Sequence, residues 1–127
     1  MAATIQSPVA ISVPSTNALS ALAYRPVYIT GGTLTLATGT THRAIGLLLN
    51  DPLAGSATTP LPSTVVVAGK AKAVAGGTVT AGSPVTSAAA GIVDAAVGSG
   101  QCAVGIAVTG TTVSGVVVEI VVCPHTA

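Results

Sequence analysis

Gly, Pro, Ser or Thr interrupts every apolar run in this chain of 127 residues, so its regular elements must be short. No window collects the roughly 20 predominantly apolar residues that a spanning helix needs, and no membrane partner is expected. The side chains left between the interruptions decide what can form there. The chain has no Phe and no Trp, and its two Tyr stand close together at Tyr24 and Tyr28. Val, Ala, Leu and Ile must therefore build the core, and the β-branched members of that set suit a pleated sheet. The length is that of one domain. The expected fold is all-β, a small single-domain β-barrel or β-sandwich of short strands with an extended N-terminal arm.

Charge is the second constraint. Four Lys or Arg and three Asp or Glu make up 6% of the chain, against about 25% in an average soluble domain. A free monomer ordinarily uses surface charge to stay apart from its neighbours. Here Thr, Ser and Gly must do that, so much of the surface is expected to be covered by a partner. A net charge of +1 offers no basic footprint, which argues against direct nucleic-acid binding. Ala21-Leu22-Ala23 has the form of a signal-peptidase site. No Lys or Arg precedes Arg25, however, and Pro8 and Pro14 break the apolar stretch, so a secretory leader is not expected.

Residues 1–23 carry no charge and are rich in Pro and Ser. In an extended conformation Ile5, Val9, Ile11 and Val13 share one face, which suits an arm that adds to a partner's sheet or groove. Residues 24–127 form the expected β-rich domain. Its short strands begin with Val27–Thr30, a Gly31-Gly32 turn and the alternating Thr33–Leu36. Ala44–Leu49 reads as a buried strand ended by the turn sequence Asn50-Asp51-Pro52. Thr64–Ala68 and Lys70–Ala75 follow, the latter with both lysines on one face. Thr78–Thr80 and Pro84–Ser87 flank an Ala81-Gly82 turn. The Ala-rich stretch Ala88–Val97 has the composition for a turn of helix, which Gly91 would keep short.

The clearest hairpin joins Ala103–Val108 to Gly115–Val122. Its second strand turns Val116, Val118, Ile120 and Val122 one way and Val117, Glu119 and Val121 the other. Both faces are then apolar, where a free two-layer protein would keep one polar. Val117, Glu119 and Val121 are accordingly the expected subunit interface. An internal echo runs through the chain: AIGLLL at Ala44–Leu49 matches AVGIAV at Ala103–Val108, and each leads through a polar loop into a Val-rich strand. Two copies of one unit packed together would make a small barrel or sandwich. Gly46 and Gly105, inside strands, imply a bend or a close backbone approach.

Catalytic chemistry has little to work with. The titratable candidates are Asp51, Asp94, Glu119, His42 and His125, and no nucleophile elbow surrounds any Ser. Cys102, Cys123 and His125 lack the paired spacing of a zinc site. No catalytic residue, metal or cofactor is expected. A hairpin centred between Thr112 and Val113 would place Cys102 opposite Cys123, and a reducing cytosol would keep both thiols free.

The stretch Gly76–Val122 (GGTVTAGSPVTSAAAGIVDAAVGSGQCAVGIAVTGTTVSGVVVEIVV) combines a GG-T-V-T-AG-x-P-V run, an AAAGI step, a V-G-I-A strand and a final Val-rich strand. In that order these features resemble the capsid decoration, or cement, proteins of tailed bacteriophages. AIGLLLNDPLAG at Ala44–Gly55 is similar to the upstream half of the same pattern. The resemblance covers roughly two thirds of the chain, and departs from the family in its Thr- and Pro-rich loop from Ala54 to Ser63. It implies a β-rich knob, often a homotrimer, made in the host cytoplasm and bound to the outer surface of the virion. There it would clamp neighbouring major capsid protein subunits. The second expectation is an adhesin-like or glycan-binding knob, for which only Tyr24 and Tyr28 could serve as aromatic platforms.

Overall fold

The computed structural model describes residues 9–15, 23–49 and 61–127, and no helix forms among them. The strands are β1 (Val9–Ser15), β2 (Pro26–Thr30), β3 (Thr33–Leu36), β4 (Gly46–Leu48), β5 (Leu61–Val74), β6 (Pro84–Ala88), β7 (Gly91–Asp94), β8 (Cys102–Ala107) and β9 (Val117–Thr126). All ladders between these strands are antiparallel. The sheet order is β3-β2-β4-β5-β9-β8-β6-β7, with β1 added to β5. The fold is therefore all-β, in one curled sheet.

That order reads the same from either end: a hairpin, a short strand, then a long strand, twice. The registers repeat as well. Val27 stands opposite Leu36 and Gly46, while Val85 stands opposite Asp94 and Gly105. Ala37 N–H donates to the Pro26 carbonyl at 2.9 Å, as Ala95 N–H does to the Pro84 carbonyl at 2.9 Å. The two in-strand glycines also match. A Cβ at Gly46 would lie 1.9 Å from the Val66 carbonyl oxygen, and one at Gly105 would lie 2.0 Å from that of Val121. Neither position tolerates a side chain, because the neighbouring long strand crosses too closely.

Two apolar clusters fill the inside of the sheet. Val13, Val27, Leu34, Leu48 and Val65, one residue from each of five strands, fill the first lobe. The second is larger: it is centred on the other lobe, with Ala73, Val85, Ile92, Val104, Val118 and Ile120, and reaches into the first half through Ala37, Ala44, Leu47 and Val66. β5 serves both lobes. Its first part pairs with β4 and β1, and its last part, from Gly69 to Val74, pairs with β9. Gly69 marks the change with a φ of +91°, a conformation that only glycine adopts at little cost. Thr64–Ala68 and Lys70–Ala75, expected as separate strands, are thus one strand.

Three further expectations change. Within Ala88–Val97 the chain makes strand β7 rather than a helical turn, since Gly91–Asp94 pairs back onto β6. Thr78–Thr80 forms only a single bridge, from Val79 to Thr111. Cys102 lies opposite Thr126, not Cys123: the ladder from Gly105 to Ala107 centres the hairpin between Val113 and Ser114, one position later than expected, and the irregularity between Ala103 and Gly105 adds one more residue of shift. Both thiols are free, Cys102 half-buried and Cys123 exposed.

Candidate interaction surface

The side of the sheet turned away from the cores carries the candidate surface. Alternation along β9 buries Val118, Ile120 and Val122 and turns Val117, Glu119 and Val121 outward. Val117 is 47% exposed and Val121 41% exposed, flanking Glu119 on one face of the strand. On β5 the partners of these residues are Val74, Lys72 and Lys70 respectively. Both lysines face the same way as Glu119, as the sequence pattern requires. Lys70 Nζ lies 2.7 Å from Glu119 Oε2. Lys72 stands directly opposite Glu119 in register, yet its ammonium sits over the Tyr24 ring, 6.0 Å from the centroid. Three of the charged side chains of a nearly uncharged protein therefore share one patch.

Tyr24 is held there by its backbone. It adopts a φ of +65°, unusual for a residue other than glycine. Its N–H donates to the Leu48 carbonyl at 3.0 Å, and its carbonyl accepts from Val74 N–H at 3.1 Å. The residue thus ties β4 to the end of β5, across the bend at Gly69. Beneath it opens a cleft of about 250 Å³, lined by Tyr24, Leu48, Leu49, Val66, Lys70, Ala71 and Lys72. Sequence reasoning did not find this cleft. Its walls come from segments that approach one another only when β5 bends, and the lysine pair on one face was the sole local signal.

The N-terminal positions fall differently. Val9–Ser15 is extended and pairs with β5 of its own chain, Ile11 opposite Val65 and Val13 opposite Ser63. Val13 is 8% exposed and belongs to the first-lobe core, whereas Val9 and Ile11 are 56% and 42% exposed. Ile5 lies outside the described residues.

A second hollow, about 140 Å³, is lined by Arg43, Ala44, Cys102, Ala103, Pro124, His125 and Thr126. His125 Nδ1 lies 2.6 Å from the Cys123 carbonyl, and Cys102 Sγ lies 3.6 Å from the Thr41 carbonyl, so both groups are engaged with backbone. The remaining titratable groups are also used locally. His42 Nδ1 accepts from Thr38 N–H at 3.0 Å and Gly39 N–H at 3.2 Å, and its ring stacks on Tyr28 with centroids 4.5 Å apart. Asp94 accepts from the Thr80 N–H and the Thr80 hydroxyl, each at 2.7 Å. Asp51 lies outside the described residues. Arg25 donates from Nη2 to the Ala89 carbonyl at 2.8 Å, and partial burial lowers its pKa by desolvation. No group of three or more His, Cys, Asp or Glu able to hold a metal occurs among the described residues.

No model of a known protein family matches this chain, and no curated protein matches it either.

Proposed function

We propose that this chain is a structural protein of a bacteriophage head, bound to the outer surface of the shell and assembled with its own copies as a homotrimer. Its task is to clamp neighbouring major capsid subunits. The observation that carries this reading is the outward face of β5 and β9, where Val117 and Val121 stand exposed beside Lys70, Lys72 and Glu119. Such a face is tolerable on a protein that spends its working life covered. A clamp that binds only the assembled shell stabilises that shell by mass action, and a trimer gripping several subunits gains further through effective concentration. The family resemblance of residues 76–122 supplies the identity of the shell.

The glycan-binding alternative is weaker on one particular. Tyr28 has one ring face taken by His42, and Tyr24 has Lys72 over one of its faces, so one face of each ring is already engaged. The test is co-sedimentation of the purified protein with heads that lack it, alongside light scattering in solution. Binding to heads and a trimer of the 12.0 kDa chain are expected. The double change Val117→Asp and Val121→Asp should abolish self-association while leaving the fold intact. A monomer that ignores phage heads would defeat the proposal.

A further inference from the structure

We propose that the cleft under Tyr24 takes a short acidic–apolar segment of a heterologous protein, with an apolar side chain in the cleft and its neighbouring carboxylate on Lys72. The floor and walls are apolar, contributed by Leu48, Leu49, Val66 and Ala71. A volume of about 250 Å³ falls below the roughly 300–1,000 Å³ of clefts that hold drug-sized ligands, and suits one branched side chain with flanking backbone.

Charge decides the occupant. Of the two lysines at the rim, Lys70 is already paired with Glu119, whereas Lys72 has no carboxylate partner among the described residues. A cation beside an apolar cleft interacts with an incoming anion more strongly than one in open water, because the local dielectric is lower. A second copy of this chain is a poor source of that anion, since the chain has only three acidic residues in 127 and the two described ones are engaged. Glu119 is held by Lys70, and both oxygens of Asp94 are held by Thr80. A chain this poor in acid favours a heterologous partner that brings its own. None of the cleft's lining residues lies on β9, so it sits beside the self-association surface of Val117 and Val121 and gives the clamp reading a separate contact for the shell; it rests on that reading only for the partner's identity.

The test uses the full chain and needs no phage heads, so its result is separate from that of the sedimentation assay. Two capped tetrapeptides serve as probes, one with adjacent leucine and glutamate and one with glutamine in place of the glutamate. Methyl chemical shifts of Leu48, Leu49 and Val66 report occupancy. The glutamate peptide should bind about fivefold or more tightly than its glutamine counterpart, in line with about 1 kcal/mol for a partly exposed ion pair. Lys72→Met should bring it down to the glutamine level, and Lys72→Arg should restore it. Equal affinities for the two peptides, an unchanged affinity in Lys72→Met, or no shifts with either probe would overturn the proposal. So would octanoate binding as tightly as the glutamate peptide, which would make the ligand a lipid tail. Shifts that grow with protein concentration alone would make the occupant a second copy, and would overturn it too.

Discussion

The lobe around Leu34 and the lobe around Ile92 share a strand order, a register and a strand glycine with no room for a side chain, yet different elements close them. The second lobe closes on the far end of β5. Gly76 N–H donates to the Ile92 carbonyl at 2.8 Å, Ala75 bridges to Ile92, and a Cβ on Gly91 would lie 2.2 Å from the Val74 carbonyl oxygen. That seam is backbone against backbone. The first lobe closes with β1, which has its ladder on β5, packs alongside β3 and contributes Val13 to the core. One unit thus folds twice, but a lobe needs a fifth strand, and each copy obtains it from a different part of the chain. The lesson is that the repeated unit is open by itself.

The comparison can be broken most sharply at the paired glycines. Gly46→Ala and Gly105→Ala should each cost about 3 kcal/mol or more in urea unfolding, because the added methyl meets a carbonyl oxygen that belongs to a neighbouring strand. A large cost at one and none at the other would end the claim that the halves are equivalent. Next come Ile92→Ala and Leu34→Ala, both at fully buried positions. The expected losses are about 4 kcal/mol for Ile92 and nearer 2 kcal/mol for Leu34, since a lobe closed by β1 can collapse around the cavity more readily. Equal losses would mean that β1 closes its lobe as firmly as β5 closes the other.

Smaller effects sharpen the same comparison in the loops. Thr38 N–H and Ala96 N–H occupy matching places after β3 and β7. The first donates to His42 Nδ1 at 3.0 Å and the second to Gln101 Oε1 at 3.0 Å. His42→Ala and Gln101→Ala should each lower stability by about 1 kcal/mol, as different side chains do the same work. A markedly larger loss at His42 would point to the stacking on Tyr28 instead. Smallest of all is Lys70→Met. Its exposed ion pair with Glu119 is worth at most about 0.5 kcal/mol in thermal unfolding.

Much of the second lobe was legible before any coordinates. The alternation at Val117–Val122 names the buried and outward residues of β9, and the AIGLLL and AVGIAV echo locates the matched pair of strand glycines, Gly46 and Gly105, that admit no side chain. The turn at Gly31-Gly32 was equally plain, and both residues have positive φ, +59° and +80°. The misread parts depend on distant partners. Ala88–Val97 looks like a helix former in isolation and becomes a strand only because β6 and the end of β5 lie beside it. The alignment of Cys102 with Cys123 failed because the hairpin turns between Val113 and Ser114, one position beyond the centre of the loop sequence, and because the ladder slips once more near Val104.

By itself the sequence determined the class of fold, the short strands and the outward position of Val117, Glu119 and Val121. Those follow from local rules: interruption by Gly and Pro, side-chain alternation, and a composition with little besides Val, Ala, Thr and Gly. Tertiary structure decided that β5 belongs to both lobes, that Val9–Ser15 lies on its own β5, and that Tyr24, Leu48 and Lys72 meet around a cleft. The physical reason is range. Alternation acts between neighbours along one strand, whereas these contacts join residues tens of positions apart and exist only once the sheet has bent at Gly69.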